Sequence, residues 1–168
     1  MRRLLLVALA LAACKDDPKP VTAAGYTFTV AGWDVNTSKT EHVQTVKFEA
    51  FSEDSACMFQ VVDVPDVTGE SLEKEFLAEF KGHDPVAASL DTPLGKFTGH
   101  RFDGKVPEDS TAGKIAQLAG TPHVQVITLR DGKNLLAFTI TYFGDERDGK
   151  KSAQRCSKML STITRSAQ

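Results

Sequence analysis

The sequence predicts an α+β fold in which an antiparallel sheet of about six strands is covered by two main helices, as an α/β/α-type sandwich. Short β-rich runs with alternating apolar and polar residues recur along most of the chain, which is typical of half-buried strands. Helical spacing of apolar residues is confined to Ser71–Lys81 and Asp148–Arg165. Because strands follow one another with few helices between them, this order favours antiparallel pairing over parallel βαβ units.

The first three strands are predicted over Tyr26–Val30, Val43–Phe51 and Ala56–Val64. The first is an alternating run of β-formers, and the second places Val46 and Phe48 on one face. The third is almost continuously apolar, so we expect it to lie in the centre of the sheet, where both faces are buried.

The first helix is predicted over Ser71–Lys81, with Thr68 or Ser71 capping its start and Gly82 ending it. Its apolar stripe is expected to bury one side of the helix and leave the charged residues in solvent. The residues expected on the stripe are Leu72, Phe76, Leu77 and Phe80, and those expected in solvent are Glu73, Lys74, Glu75 and Glu79.

A fourth strand is predicted over Leu94–Val106, and the chain reaches it through a turn at Thr92-Pro93. Residues 107–122 lack a clear period, and we expect irregular structure there with one short helix around Ala112 to Leu118. No repeat or low-complexity tract interrupts the domain.

The clearest unit is a hairpin of Val124–Leu129 and Leu135–Phe143, because Asp131-Gly132 between them suits a tight turn. A closing helix is predicted over Asp148–Arg165, and Cys156 on its apolar side should meet the strand that carries Cys57. The whole buried stripe of this helix is expected to be Ala153, Cys156, Met159, Leu160 and Ile163.

The N-terminus has the layout of a secretory signal peptide: basic Arg2 and Arg3, an apolar run over Leu4–Leu11, and small residues before Cys14. The run is too short to span a bilayer, which needs about 20 helical residues. Leu11-Ala12-Ala13-Cys14 resembles the lipobox of bacterial lipoproteins. That resemblance implies cleavage before Cys14 and lipidation of its thiol; the alternative is an N-terminal helix with a buried Cys14.

This interpretation divides the chain into a signal peptide over residues 1–13, a flexible tether over 14–24 and one α+β domain over 25–168. Removing Arg2 and Arg3 with the signal would change the formal net charge from −2 to −4. An acidic domain with mixed charges does not favour nucleic-acid binding.

With Cys14 lipidated, Cys57 and Cys156 remain as an even pair, and an oxidising compartment favours a disulfide between them. Closing a loop of about 100 residues would stabilise the fold by up to ~4.7 kcal/mol on a chain-entropy basis. The alternative is two unpaired core thiols.

The strand order, the turn at Thr92-Pro93-Leu94-Gly95-Lys96 and the hairpin followed by a last helix resemble the PsbP-like fold, and among bacterial proteins the small DcrB-like lipoproteins. The resemblance covers about residues 25–165. It implies a binding or assembly role outside the cytoplasm and supplies no catalytic residues.

Gly99 and the Gly104-Lys105 pair have the spacing of a phosphate-binding loop. However, Val106 stands where that loop needs Ser or Thr, and no helix is predicted to follow. We therefore predict no nucleotide site there.

The sequence also gives little support for a metal site. Two spare cysteines cannot build a structural zinc site alone, and the scattered histidines offer no pair at the i, i+4 spacing of a zinc-binding helix. Arg147 stands in the acidic run Asp145–Gly149 where a calcium loop needs an oxygen ligand. We predict no metal, cofactor or catalytic residue. The four histidines are His42, His83, His100 and His123.

Trp33 and Tyr142 are candidates to line a pocket between sheet and helix, with core packing as the favoured alternative.

The leading hypothesis is an exported, membrane-anchored envelope lipoprotein, on the periplasmic face or in the outer membrane. It would bind an envelope protein or a small ligand without catalysis. The alternatives are an envelope assembly or stress factor without a small ligand and, more remotely, a hydrolase with a non-local site.

Overall fold

The computed structural model describes residues 17–49, 55–77, 85–103, 122–143 and 146–167. Within these ranges the chain forms ten strands and two helices. The strands are β1 (Lys19–Ala23), β2 (Tyr26–Val30), β3 (Asp34–Lys39), β4 (Val43–Glu49), β5 (Ser55–Val62), β6 (Val86–Thr92), β7 (Gly95–Asp103), β8 (Pro122–Asp131), β9 (Asn134–Phe143) and β10 (Thr164–Arg165). The helices are α1 (Gly69–Leu77) and α2 (Glu146–Leu160).

Seven strands form one sheet in the order β3-β4-β5-β9-β8-β7-β6, and β1-β2-β10 form a second, smaller sheet. All the strand pairs in the described part of the chain are antiparallel. The α+β fold with antiparallel strands is thus confirmed, and β5 lies near the centre of the large sheet as expected. The expectation of about six strands in one sheet is wrong.

One face of the large sheet forms the main core. Phe59 and Phe138 lie opposite each other on β5 and β9, and both are fully buried. Phe28 of β2 packs edge-to-face against Phe59, with ring centroids 5.1 Å apart. Met159 and Leu160 of α2 belong to the same buried cluster. The small sheet and α2 therefore cover this face together.

Helix α1 covers the opposite face. Leu135 and Ala137 of β9 alternate with the residues of the main core, so they point the other way. They form a second buried cluster with Val62 of β5 and Leu72 of α1. Thr68 caps the helix as expected, since its hydroxyl accepts from the Ser71 backbone N–H at 3.1 Å and the Ser71 hydroxyl accepts from the Thr68 N–H at 3.0 Å.

A hydrogen-bonded triad ties the two sheets together. The Tyr26 phenol of β2 donates to Oδ2 of Asp131 at 2.8 Å, and Arg165 of β10 pairs with the same carboxylate. Asp131 opens the hairpin turn, where Gly132 adopts a positive φ of 60°. The predicted Asp131-Gly132 turn is therefore confirmed and also serves as an attachment point for the small sheet.

The predicted tether over residues 14–24 is wrong at its C-terminal end. Lys19–Ala23 is strand β1, and it pairs with β2 from Lys19↔Val30 to Ala23↔Tyr26. Proline and small residues led to the tether prediction. However, an edge strand needs ladder partners on only one side, so it tolerates Pro20.

The closing helix ends earlier than predicted, at Leu160 instead of Arg165. The Thr162 hydroxyl donates to the Met159 carbonyl at 2.6 Å, and the Ile163 N–H donates to the Leu160 carbonyl at 2.9 Å, which closes the last turn. The chain then continues into β10. Ile163 is fully buried as expected, although it lies beyond the helix.

Candidate functional site

A buried carboxylate and a histidine meet between α1 and the large sheet. Glu73 of α1 is 8% exposed, and its Oε2 lies 2.9 Å from Nδ1 of His100 on β7. A carboxylate removed from water needs a donor, and His100 supplies it. The His100 side chain is 42% exposed, so one end of this contact is buried and the other reaches solvent.

Gly99 makes room for this contact. A Cβ atom at Gly99 would collide with the Val126 carbonyl oxygen and would lie 2.7 Å from Oε1 of Glu73. A side chain larger than hydrogen would therefore displace both the neighbouring strand and the carboxylate. Glycine in a strand interior often marks such a close approach.

A cavity of about 630 Å³ opens beside the Glu73–His100 contact, between the first turn of α1 and strands β6, β7 and β8. Hydroxyl groups, two carboxylates, an ammonium group and an imidazole all reach its wall. The polar lining residues are Glu70, Glu73, Ser89, Lys96, Thr98, His100 and Thr128. With Nδ1 engaged by Glu73, the second ring nitrogen of His100 is the atom available to a ligand.

Glu73 is the residue that the sequence interpretation misplaced, because it was expected in solvent. The residues three, four and seven positions after it are Phe76, Leu77 and Phe80, which were expected on the buried stripe. An i, i+3, i+4, i+7 pattern defines one helix face, so the spacing itself contained the signal that Glu73 faces inward.

The other histidines are apart from this contact. His123 stacks on Tyr142 with ring centroids 4.6 Å apart, and His42 lies in an exposed turn beside Glu41. His83 is outside the described residues. Within the described ranges no three His, Cys, Asp or Glu side chains come together as a possible metal site.

The remaining candidate segments are placed as follows. Gly99 to Asp103 of the phosphate-loop-like stretch belong to strand β7, and Gly104-Lys105 lie outside the described residues. Glu146 to Gly149 of the acidic run form the first turn of α2. Residues 1–16, including Cys14, and the short helix expected around Ala112 are likewise outside the described part.

Cys57 and Cys156 are brought together. Cys57 of β5 and Cys156 of α2 are fully buried, with Cα atoms 6.0 Å apart. That separation lies in the usual range for disulfide-bonded cysteines. The expectation that Cys156 faces the strand carrying Cys57 is met in this geometry, while the bond itself stays a prediction.

Trp33 and Tyr142 are both buried, at 7% and 6% exposed. Trp33 lies against α2, where the Arg155 guanidinium carbon is 5.3 Å from the ring centroid. Trp33 is packed in the core and also lines a second cavity beside α2. Core packing and a place in a pocket wall, which were the two alternatives for this residue, therefore both apply.

Comparison with known proteins assigns no family to this chain. No protein-family model matches the chain, and no curated protein matches its sequence. A solved structure of a mutant of the protein Mog1 is similar over 88% of this chain and 95% of its own length, with a TM-score of 0.48 and 11% identity. A likeness of that degree carries no argument about function.

None of the helices described is long and apolar enough to cross a membrane.

Proposed function

We propose that this chain is a lipid-anchored lipoprotein of the bacterial cell envelope whose domain binds a small polar ligand without catalysis. The observation that carries the binding role is the cavity of about 630 Å³ beside Glu73 and His100. Small-molecule sites combine a concave surface with a few convergent polar groups. Because hydroxyl, carboxylate, ammonium and imidazole groups converge here, the cavity suits a ligand that both donates and accepts hydrogen bonds.

The anchoring part of the proposal is supported by the sequence before the domain. Arg2-Arg3, the apolar run and Leu11-Ala12-Ala13-Cys14 have the order of a lipoprotein signal. The burial of Cys57 against Cys156 supports export to an oxidising compartment, since paired cysteines are rare in the cytosol. Cys14 would carry the lipid on the periplasmic face or in the outer membrane.

We further infer that the domain belongs to the PsbP-like arrangement that its element order resembles. The position of one helix on each face of the large antiparallel sheet supports this assignment. The assignment agrees with a binding role and adds no catalytic residue.

Native mass spectrometry of the full chain, purified from membranes in neutral detergent, tests the binding role. We expect a small molecule to remain bound to the wild-type protein and to His42→Ala, whose histidine lies in an exposed turn. His100→Ala should retain several-fold less of it, because the cavity loses its imidazole. Equal retention by the two variants would contradict this site.

The same experiment separates the alternatives. If no small molecule accompanies any variant, while crosslinking in intact envelopes captures a stable protein partner, the assembly or stress role is favoured. A bound molecule that is cleaved over time by the wild type but not by His100→Ala would indicate a hydrolase, since Glu73 orients His100 as a carboxylate orients a catalytic base.

A further inference from the structure

Three hydroxyl groups form a row on the floor of the cavity beside Glu73 and His100. Ser89 of β6 is paired with Thr98 of β7, and Thr98 is paired with Thr128 of β8. Neighbouring strands lie about 4.8 Å apart, so the three side chains stand side by side. We call Ser89, Thr98 and Thr128 the hydroxyl row. It lies on the face of the large sheet that α1 covers, because Thr128 is opposite Ala137 of the second buried cluster.

The hydroxyl row is accessible to a ligand. Ser89 and Thr98 are exposed, and Thr128 is half-buried. Within the described part of the chain, no hydrogen bond engages any of these three side-chain hydroxyls. Each of them can both donate and accept, and the hydroxyls of a polyol do the same. The row therefore favours a ligand that carries several hydroxyl groups of its own.

Lys96 brings an ammonium group to one end of the row. It is two positions before Thr98 on β7, so its side chain points to the same face of the sheet. Asp91 lies opposite Lys96 on β6, but Asp91 does not line the cavity. Among the described residues, Lys96 has no ion-pair partner. Its ammonium group is therefore available to an anionic group of a ligand.

The two carboxylates in the wall of the cavity already have partners. Glu70 pairs with Lys74 at 3.0 Å. Glu73 is directed at His100, and only 11% of its side chain is exposed. Lys96 is thus the charged lining residue left to attract a ligand. One ammonium group near two carboxylates matches a carboxylate with a single negative charge better than a doubly charged phosphate, which both glutamates would repel.

We propose that this cavity binds a sugar acid, that is, a sugar with several hydroxyls and one carboxylate. The inference rests on the proposed binding role and names the class of ligand. Lys96 holds the carboxylate through a charge-assisted hydrogen bond, and the hydroxyl row binds the ring hydroxyls. His100 is four positions from Lys96 on the same strand, about 14 Å away between Cα atoms. Its second ring nitrogen therefore binds the opposite end of the sugar.

Glucuronate and glucose are matched probes, because they differ only by a carboxylate in place of a hydroxymethyl group. The full chain in neutral detergent is titrated with each sugar at low ionic strength, and binding is followed by ligand-observed NMR. We expect glucuronate to bind severalfold more tightly than glucose. Added salt should weaken the binding of glucuronate and not that of glucose, because salt screens charge pairs. Equal affinity for the two sugars would overturn the proposal.

Lys96→Gln removes the charge and keeps a hydrogen-bonding side chain. This variant should bind glucuronate no more tightly than glucose. Lys47→Gln is the matched control, since Lys47 is an exposed lysine on the same face of the same sheet. Its strand is four places from β7, about 19 Å away, so the preference for glucuronate should persist. A preference that persists in Lys96→Gln as well would show that Lys96 does not hold the carboxylate.

Thr98→Val tests the hydroxyl row. Valine keeps the branched shape that suits a strand and replaces the central hydroxyl with a methyl group. We expect both sugars to bind severalfold more weakly to this variant, with the preference for glucuronate unchanged. If Thr98→Val binds both sugars as the wild type does, the row does not contact the ligand and the proposal is wrong.

Methyl glucuronide separates two sources of the same chemistry, because its anomeric oxygen is capped as it is in a polysaccharide. Binding equal to that of glucuronate supports a glycan-linked sugar acid, and selective binding of glucuronate supports a free one.

Failure of this inference is distinct from failure of the binding role. If native mass spectrometry finds another small molecule on the wild type and less of it on His100→Ala, while none of these sugars binds, the cavity is a ligand site and the sugar-acid assignment is wrong.

Discussion

Nδ1 of His100 lies 2.9 Å from Oε2 of Glu73. This contact joins α1 to β7 at the edge of the proposed ligand cavity. We expect Glu73→Ala to destabilise the domain by about 1–3 kcal/mol, because it removes a buried hydrogen-bond partner. Glu75→Ala removes an exposed carboxylate from the same helix and should stay within about 0.5 kcal/mol of the wild type. Urea unfolding measures both, and equal losses would show that the carboxylate of Glu73 has no special structural role.

The Tyr26–Asp131–Arg165 triad should make stability depend on alkaline pH. Burial of the phenol, followed by its hydrogen bond to Asp131, raises the pKa of Tyr26 to about 12. Folding therefore favours the neutral phenol. Its contribution to the free energy of unfolding is complete below pH 10 and is lost as pH rises through about 12. Tyr26→Phe should cost about 1–2 kcal/mol at pH 8 and flatten the decline above pH 10. Parallel pH profiles for the two proteins would contradict this origin.

The same triad should also make the stability of the fold depend on acidic pH. The hydrogen bond from Arg165 is the largest effect on the Asp131 carboxyl and lowers its pKa below the ordinary value of 3.8. Stability from this carboxylate is therefore present above that value and is lost as pH falls through the lowered pKa. Asp131→Asn should remove this part of the acid dependence, which unfolding curves between pH 5 and pH 2 would show.

Cys57 and Cys156 should be linked in the exported protein. Non-reducing peptide mass spectrometry should find the two cysteine peptides joined, and reductant should lower the unfolding midpoint of the wild type. The Cys57→Ala/Cys156→Ala variant should be less stable and indifferent to reductant, because a link across this loop is worth about 2–4 kcal/mol. Two freely alkylated thiols in native exported protein would contradict the pairing.

Cys14→Ser tests the lipid anchor directly. Several acyl chains on one residue give stable anchoring, so the wild-type protein should remain in the membrane pellet after a carbonate wash. The variant should move to the soluble fraction, as judged by immunoblotting of both fractions. If Cys14→Ser stays in the washed pellet to the same extent as the wild type, the protein is held by something other than this lipid.

The strongest sequence signals marked the elements that fill the core. Tyr26–Val30, the Val124–Phe143 hairpin and the helix containing Cys156 were predicted from residues with one clear period, and all three are present. Strands β3 and β6 were not predicted. They form the two edges of the large sheet, and their runs Asp34–Lys39 and Val86–Thr92 are mostly solvent-exposed, so burial imposes little apolar alternation on them.

By itself, the sequence determined the α+β class, the antiparallel order, the hairpin and the face of α2 that carries Cys156, because each depends on local periodicity and turn chemistry. Only the tertiary structure decided that Glu73 meets His100 across Gly99 and that Trp33 lies beneath Arg155. These contacts join residues that are far apart in the chain, and their distances are set by how α1 and α2 pack on the sheets. Local sequence pattern fixes which side of an element is buried, whereas packing fixes which polar groups meet there.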